Sequence, residues 1–272
     1  PHFGEGFSLY LIKPIKSHPM KKLLFLLLLL AIISCDKIDA DNPYDAQYNS
    51  NGCLECDNYS VGEDFVIDGV QYVVVDREML DSAITNGDDL SRYCTSKVIS
   101  LDTLLINQQS FNQDIGNWDV SNVINMSSMF MGALSFNQDI GAWDVSNVTD
   151  MSSMFISANS FNQDIGSWDV SNVTDMQAML SMDSFNQDIS QWDVSNVTNM
   201  AGMFFEAYTF NQDIGNWQVG NVTSMQLMLY GATNFNQDLT QWCVSNPNLG
   251  YWEFSVGSSL APSNHPVWGT CP

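Results

Sequence analysis

The 272-residue chain is 45% hydrophobic but only 14% charged, and its charges are lopsided: 31 acidic against 8 basic residues, a formal net of −23. Neutralising phosphates needs a Lys/Arg surface, so this balance excludes nucleic acid as a partner class. Eight Trp, 15 Phe and 14 Met are too many large apolar groups for a chain that stays unfolded, so a sizeable core is expected.

Residues 1–19 precede Met20, which reads as the true start, and they are set aside as an upstream extension. Met20-Lys21-Lys22 leads into an unbroken apolar run from Leu23 to Ile33, followed by Ser34-Cys35. A basic start, a short apolar stretch and a small residue before the break describe a secretory signal, so residues 1–34 are assigned to extension plus leader. Ile32-Ile33-Ser34-Cys35 further resembles the lipobox of bacterial lipoproteins. That resemblance implies cleavage before Cys35, a lipid on its sulfur, and a chain exported to the bacterial cell surface or outer membrane and held there by this anchor. Leader removal also removes Lys13, Lys16, Lys21 and Lys22; the remaining cations Lys37, Arg77, Arg92 and Lys97 all precede residue 98.

Residues 35–62, rich in Asp, Asn, Ser and Tyr, read as a lipid-anchored tether. Residues 63–97 read as an N-terminal cap. Phe65-Val66-Ile67 and Tyr72-Val73-Val74-Val75 flank a turn at Asp68-Gly69, and a helical stretch runs on to Ile84. From 98 to 244 the chain repeats itself. Phe-Asn-Gln-Asp recurs at Phe111, Phe136, Phe161, Phe185, Phe210 and Phe235, separated by 25, 25, 24, 25 and 25 residues. Trp118, Trp143, Trp168, Trp192, Trp217 and Trp242 keep step, and a degenerate earlier unit begins near Tyr93. A period in the twenties predicts a solenoid in which each coil covers its neighbour's apolar flank. Within a unit, Ile115, Trp118 and Val120 suggest a short strand, while Met126, Met129, Phe130 and Ala133 fall at i, i+3, i+4 and i+7, the stripe of a short helix. Residues 245–272 are the C-terminal cap.

Trp-Asp-Val-Ser-Asn-Val-Thr-Asp/Asn-Met-x-x-Met-Phe followed by Phe-Asn-Gln-Asp-Ile resembles the repeat of BspA-like leucine-rich-repeat surface proteins, a type also found in mycoplasma lipoproteins. The resemblance spans roughly residues 94–245. It implies an α/β repeat solenoid of LRR-like right-handed coils, one short strand and one short helix per repeat of about 25 residues, capped at both ends. It also implies adhesion or partner binding at a bacterial surface, with no catalytic residues carried over. One departure stands out: Asn122 lies two residues after Val120 rather than three, so the turn after the strand is expected to differ from the familiar asparagine ladder.

The cysteines fit export. Cys53-x-x-Cys56 lacks the further ligands of a zinc site and the βαβ setting of a redox motif, so Cys53, Cys56, Cys94, Cys243 and Cys271 are read as disulfide candidates. Cys243 and Cys94 replace a repeat Asp at the two ends of the array, suggesting clamps of Cys243 to Cys271 and of Cys94 to Cys53 or Cys56.

The Phe and Trp columns are read as core. Asp114, Asp139, Asp164, Asp188, Asp213 and Asp238 each follow Asn-Gln in a turn and are expected to bond nearby backbone N–H groups. A second column, Asp119, Asp144, Asp169 and Asp193, gives way to Gln218 and Cys243 and should face outward on the strand side. Like charges about 4.8 Å apart repel by roughly 1 kcal/mol in water, and calcium is the cation such a row would suit. Against calcium, no nonapeptide Gly/Asp repeat or EF-hand spacing occurs, and no resident cofactor is expected. Position 117 varies: Asn117, Ala142, Ser167, Gln191, Asn216, Gln241. These residues together with Asp119, Asp144, Asp169, Asp193 and Gln218 are the candidate binding face. After the leader His265 is the sole histidine, and neither a phosphate loop nor a nucleophile elbow occurs. The expectation is therefore a non-enzymatic surface module whose partner is an extracellular protein or glycan, with calcium-assisted glycan binding as the alternative.

Overall fold

An N-terminal αβ cap closes one end of a stack of repeats. The computed structural model describes residues 46–246 and 253–272. The expected leader, Cys35, Lys37, Trp252 and the start of the expected tether lie outside the described residues.

Within the cap, β1 (Gln47–Tyr48) pairs antiparallel with β2 (Leu54–Glu55). Part of the segment expected to be tether is thus built into the fold. β3 (Asp64–Ile67) and β4 (Val70–Val74) form a hairpin. Asp68 and Gly69 between them have φ of 51° and 77°, the left-handed pair that a tight two-residue turn needs and Asp-Gly supplies. α1 (Arg77–Asn86) begins where the Asp76 carboxylate accepts the Met79 N–H at 2.9 Å and ends at left-handed Gly87. It buries Leu80 and Ala83. β5 (Tyr93–Cys94) then joins β4 in parallel and leads into the first coil. A Cys56–Cys94 disulfide ties the β2 segment to β5.

Successive repeats are bonded side by side in register. Parallel bridges join Ser100 to Asn125, Asn125 to Asp150, Asp150 to Asp175, Asp175 to Asn199 and Asn199 to Ser224. The N–H groups of Met126, Ser128, Phe130 and Gly132 donate to the carbonyls of Asp150, Ser152, Met154 and Ile156 in the next coil, at 2.8–2.9 Å. The alternate N–H groups of Met129, Met131 and Ala133 turn back to Met126, Ser128 and Phe130, three residues earlier. Ser128 and Gly132 are left-handed, at φ 56° and 71°. The segment expected to be helical is therefore a run of linked turns that hydrogen-bonds its neighbours, and Ile115–Val120 forms no strand either. Two turns of helix are marginal on their own, and Asn125, Asp150 and Asp175 each draw the N–H two residues on into a side-chain turn, at 2.8–2.9 Å. Turns closed over three residues return Met126, Met129 and Phe130 to the inside, which is how a helix-like spacing arises without a helix.

The interior is a stack of like residues. Ile115, Trp118, Val120, Val123, Met126, Met129 and Phe130 are buried, and so are their counterparts in the next four coils. Phe136, Phe161 and Phe185 stack at centroid separations of 5.8 and 6.3 Å. Phe111 has no full coil before it and is only partly buried. Each Trp indole of the repeat column reaches back to satisfy its N–H: Trp143 donates to Ile115 O at 3.2 Å and Trp168 to Ile140 O at 3.1 Å.

The rest of Phe-Asn-Gln-Asp is bonding hardware. The Asn137 side-chain oxygen accepts the Asn162 N–H at 3.0 Å, and Gln163 Nε2 returns to the Asn137 carbonyl at 3.1 Å. Asp164 accepts the Gly166 N–H at 2.9 Å. Gly116 is closely packed, since a Cβ there would lie 2.6 Å from the Asp139 carbonyl oxygen, although Ser190 fills the same position in a later coil. The Asn122 column does form a ladder: Asn147 Nδ2 donates to Ser121 O and Asn172 Nδ2 to Ser146 O, both at 2.7 Å.

Both ends are sealed. Arg77 donates to the Asp102 carbonyl at 2.7 Å, placing a cation where the stacked peptides present their first C=O groups. At the far end the N–H groups of Leu229 and Gly231 find Phe254 and Val256 carbonyls, Val244 bridges Thr270, and Cys243 is bonded to Cys271.

Candidate functional site

The acidic column lies just after the buried Trp of each coil. Each carboxylate uses one oxygen in the same local bond. Asp144 Oδ1 accepts from Ser146 N, Asp169 from Ser171 N and Asp193 from Ser195 N, each at 3.0 Å. All three side chains are exposed. The Ser195 hydroxyl, then its N–H, holds the Asp193 carboxyl below the usual carboxylate range. Ser190 does the same to Asp188 and Thr240 to Asp238, here led by the backbone N–H.

Asp119 departs from the expected outward placement. It is 3% exposed, with Ser96 Oγ donating to Oδ2 at 2.7 Å and Ser121 N to Oδ1 at 3.0 Å. The physical reason is the preceding cap, which occupies the space a previous full coil would leave open. Asn117 is covered as well: its carbonyl accepts the Leu54 N–H at 2.8 Å and its amide donates to Ser91 O at 3.2 Å.

Further along, the face is open. A cavity of about 370 Å³ gathers Ala142, Asp144, Ser167 and Asp169, with Asn51 from the β1–β2 loop and the edge of Trp143. Gln191, Asp193, Asn216, Gln218 and Gln241 continue the row as exposed side chains outside that cavity. Gln191 Nε2 bonds Ser190 Oγ at 3.2 Å, and Gln218 Nε2 bonds the Asn216 carbonyl at 3.4 Å. Asn51 was legible only as tether, because nothing in residues 46–56 repeats with the array.

Cys53 corrects the disulfide expectation. Among the described residues it is the free thiol, buried, with Sγ 3.5 Å from Ala142 O. Burial first, then the charges of Asp119, Asp144 and Glu55, push its thiol up to about 11. It stays protonated and packs against coil carbonyls, while Cys56 faces Cys94.

Chemically this face offers carboxylate acceptors interleaved with amides and a hydroxyl that donate as well as accept, in a stretch without Lys or Arg. Among the described residues no three His, Cys, Asp or Glu side chains converge as an ion-holding group, so Asp119, Asp144, Asp169 and Asp193 stand singly.

A family model described as Mycoplasma protein of unknown function, DUF285, matches residues 77–184 and again 165–259. The chain belongs to this family. The two DUF285 matches overlap at 165–184 and together run from α1 through the repeats into the C-terminal cap. No curated protein and no solved structure matches the chain. In this DUF285 protein, then, α1 and the repeats fall within the matched span, while β1 to β4 of the N-terminal cap and the Thr270–Cys271 end of the C-terminal cap lie outside it. Among the described residues no helix is long and apolar enough to cross a membrane.

Proposed function

We propose that this DUF285 protein is a non-enzymatic, lipid-anchored surface protein whose repeats form an LRR-like solenoid that binds an extracellular macromolecule. The binding face is the open row from Ala142 to Gln218. The observation that carries the reading is the identical presentation of Asp144, Asp169 and Asp193. Each has one oxygen fixed by a backbone N–H, is exposed, and lies in a stretch without Lys or Arg. Such a row attracts cationic or donor-rich surfaces over a Debye length, and repetition multiplies a weak contact. Two disulfides support export to an oxidising compartment, and the lipobox at Cys35 supports the anchor. Acid–base chemistry needs two carboxyls in different environments, whereas these coils give each carboxylate the same one.

The test is capture of immobilised extracellular proteins and glycans by the chain and by its Asp144→Asn/Asp169→Asn variant. Asn keeps the turn-forming oxygen and removes the charge. The reading expects at least tenfold weaker capture with an unchanged melting temperature, about 1.4 kcal/mol of binding energy. Undiminished capture overturns it.

A further inference from the structure

The repeat that starts at Phe161 has 24 residues where its neighbours have 25. The position lost is the second left-handed one, filled elsewhere by Gly132, Ser157, Glu206 and Gly231 at φ 71°, 57°, 54° and 70°. In complete coils the N–H at this position reaches the next coil: Ser157 N to Ser181 O at 3.0 Å, Glu206 N to Tyr230 O at 2.7 Å. The short coil has no such N–H, and its Met182 N–H folds back on Leu180 O at 3.0 Å. The Ser181 hydroxyl takes over, donating to Phe205 O at 2.9 Å.

The shortening opens a notch. The column Met131, Ile156, Ser181, Phe205, Tyr230 drops to a small residue at its middle, and Ala178 and Gly202 beside it are small as well. The resulting cleft has a volume of about 540 Å³. Phe205 lines it, half-buried and stacked on Tyr230 at 5.2 Å and 9°. Glu206, Asp183, Gln177 and Gln226 line it too. After Lys97 the chain has no Lys or Arg to neutralise those carboxylates. An aromatic face, two carboxylates and two amide oxygens in one cleft complement a flat cation with several N–H donors.

We propose that this cleft takes an arginine side chain from a basic segment of a partner protein, its guanidinium stacked on Phe205 and donating to Glu206 and Asp183. The proposal rests on the reading of the chain as a binder of extracellular macromolecules, and puts a second contact on a different stretch of each coil from the Asp144–Gln218 row. A lysine would supply a point charge without the planar stack, and a neutral sugar would leave the carboxylates without a counter-charge.

The experiment is an NMR titration of the chain with a capped Gly-Ser-Arg-Ser-Gly-Arg-Ser peptide and with its citrulline isostere, which keeps the shape and loses the charge. The arginine peptide is expected to shift the amides of Ala178, Gly202 and Leu227, and the citrulline peptide to leave them still. Glu206→Gln and, separately, Phe205→Ala should each weaken the titration by about fivefold. Glu206 is exposed, so its variant tests the site even if loss of Phe205 disturbs the coil. In the Asp144→Asn/Asp169→Asn variant the shifts of Ala178, Gly202 and Leu227 should persist, whatever becomes of any shifts along the acidic row. Equal shifts from citrulline, no response to Glu206→Gln, or movement of these amides by a neutral disaccharide alone overturns the proposal. Shifts confined to Asp144 and Asp169 also overturn it, and leave the reading of the acidic row standing.

Discussion

Trp168 shows what one residue of the repeat does. Its ring is buried in the stack and its N–H is bonded to Ile140 O at 3.1 Å, so truncation opens a cavity and removes a buried hydrogen bond together, leaving Ile140 O to the Trp143 N–H alone. Trp168→Ala should cost about 3–5 kcal/mol, read by chemical denaturation; an equally stable variant would remove the Trp column from the core. This role was legible, because a large apolar residue recurring in register with Ile and Val belongs to a shared interior. The role of the aspartates was legible only for the column after Asn-Gln. Asp119, Asp144, Asp169 and Asp193 make the same local bond, but an alternating pattern read as a strand pointed to a free carboxylate row. The turn bonds have a pH signature. Asp188, Asp193 and Asp238 are held below the usual range, so each contributes stability that is present above about pH 4 and is lost as pH falls through its lowered value. Replacing all three by Asn retains an acceptor and removes the titration. The fall in melting temperature below pH 4 should be shallower in that variant, and parallel curves would contradict the assignment.

At the scale of the element, the linked turns of Met126–Ala133 and their equivalents are where sequence and structure part. Spacing of i, i+3, i+4 and i+7 marks residues that return to the same side, and it cannot tell a helical ladder from successive turns closed over three residues. What separates them is the backbone at Ser128, Ser153, Ala178, Gly202 and Leu227, all left-handed, and of these only Gly202 carries a composition signal. The consequence is a change of sign. In a helix Ala178→Gly would cost about 1 kcal/mol. At φ 51° the same change relieves the crowding of Cβ, and a gain of up to about 1 kcal/mol is expected in urea melts. A clear loss would favour the helix. The hairpin at Asp68-Gly69 and α1 were readable because their signals are local: a dipeptide that tolerates positive φ, and an Asp76 cap closed by Gly87.

For the whole molecule, the ladder through Met126–Gly132 and its equivalents follows a rule: each coil's carbonyls at one set of positions accept from the coil before, and its next N–H groups donate to the coil after, while the N–H groups of Thr149, Thr174, Thr198 and Thr223 donate back to the preceding coil. The period of 25 announced the stacking, and the family match spans it, but which segment carries the ladder was not readable, since backbone groups leave no trace in composition. The cleft at the 24-residue coil was equally hidden. Its cause is visible in the sequence as one shortened spacing, but its contents, Phe205 and Glu206, come from the following coil. The most direct test of this arrangement is detection of scalar couplings through hydrogen bonds in the isotope-labelled protein. Couplings are expected from the amide nitrogens of Met126, Ser128 and Phe130 to the carbonyl carbons of Asp150, Ser152 and Met154. Couplings from Phe130 and Met131 to carbonyls four residues earlier, with none to the next coil, would contradict it.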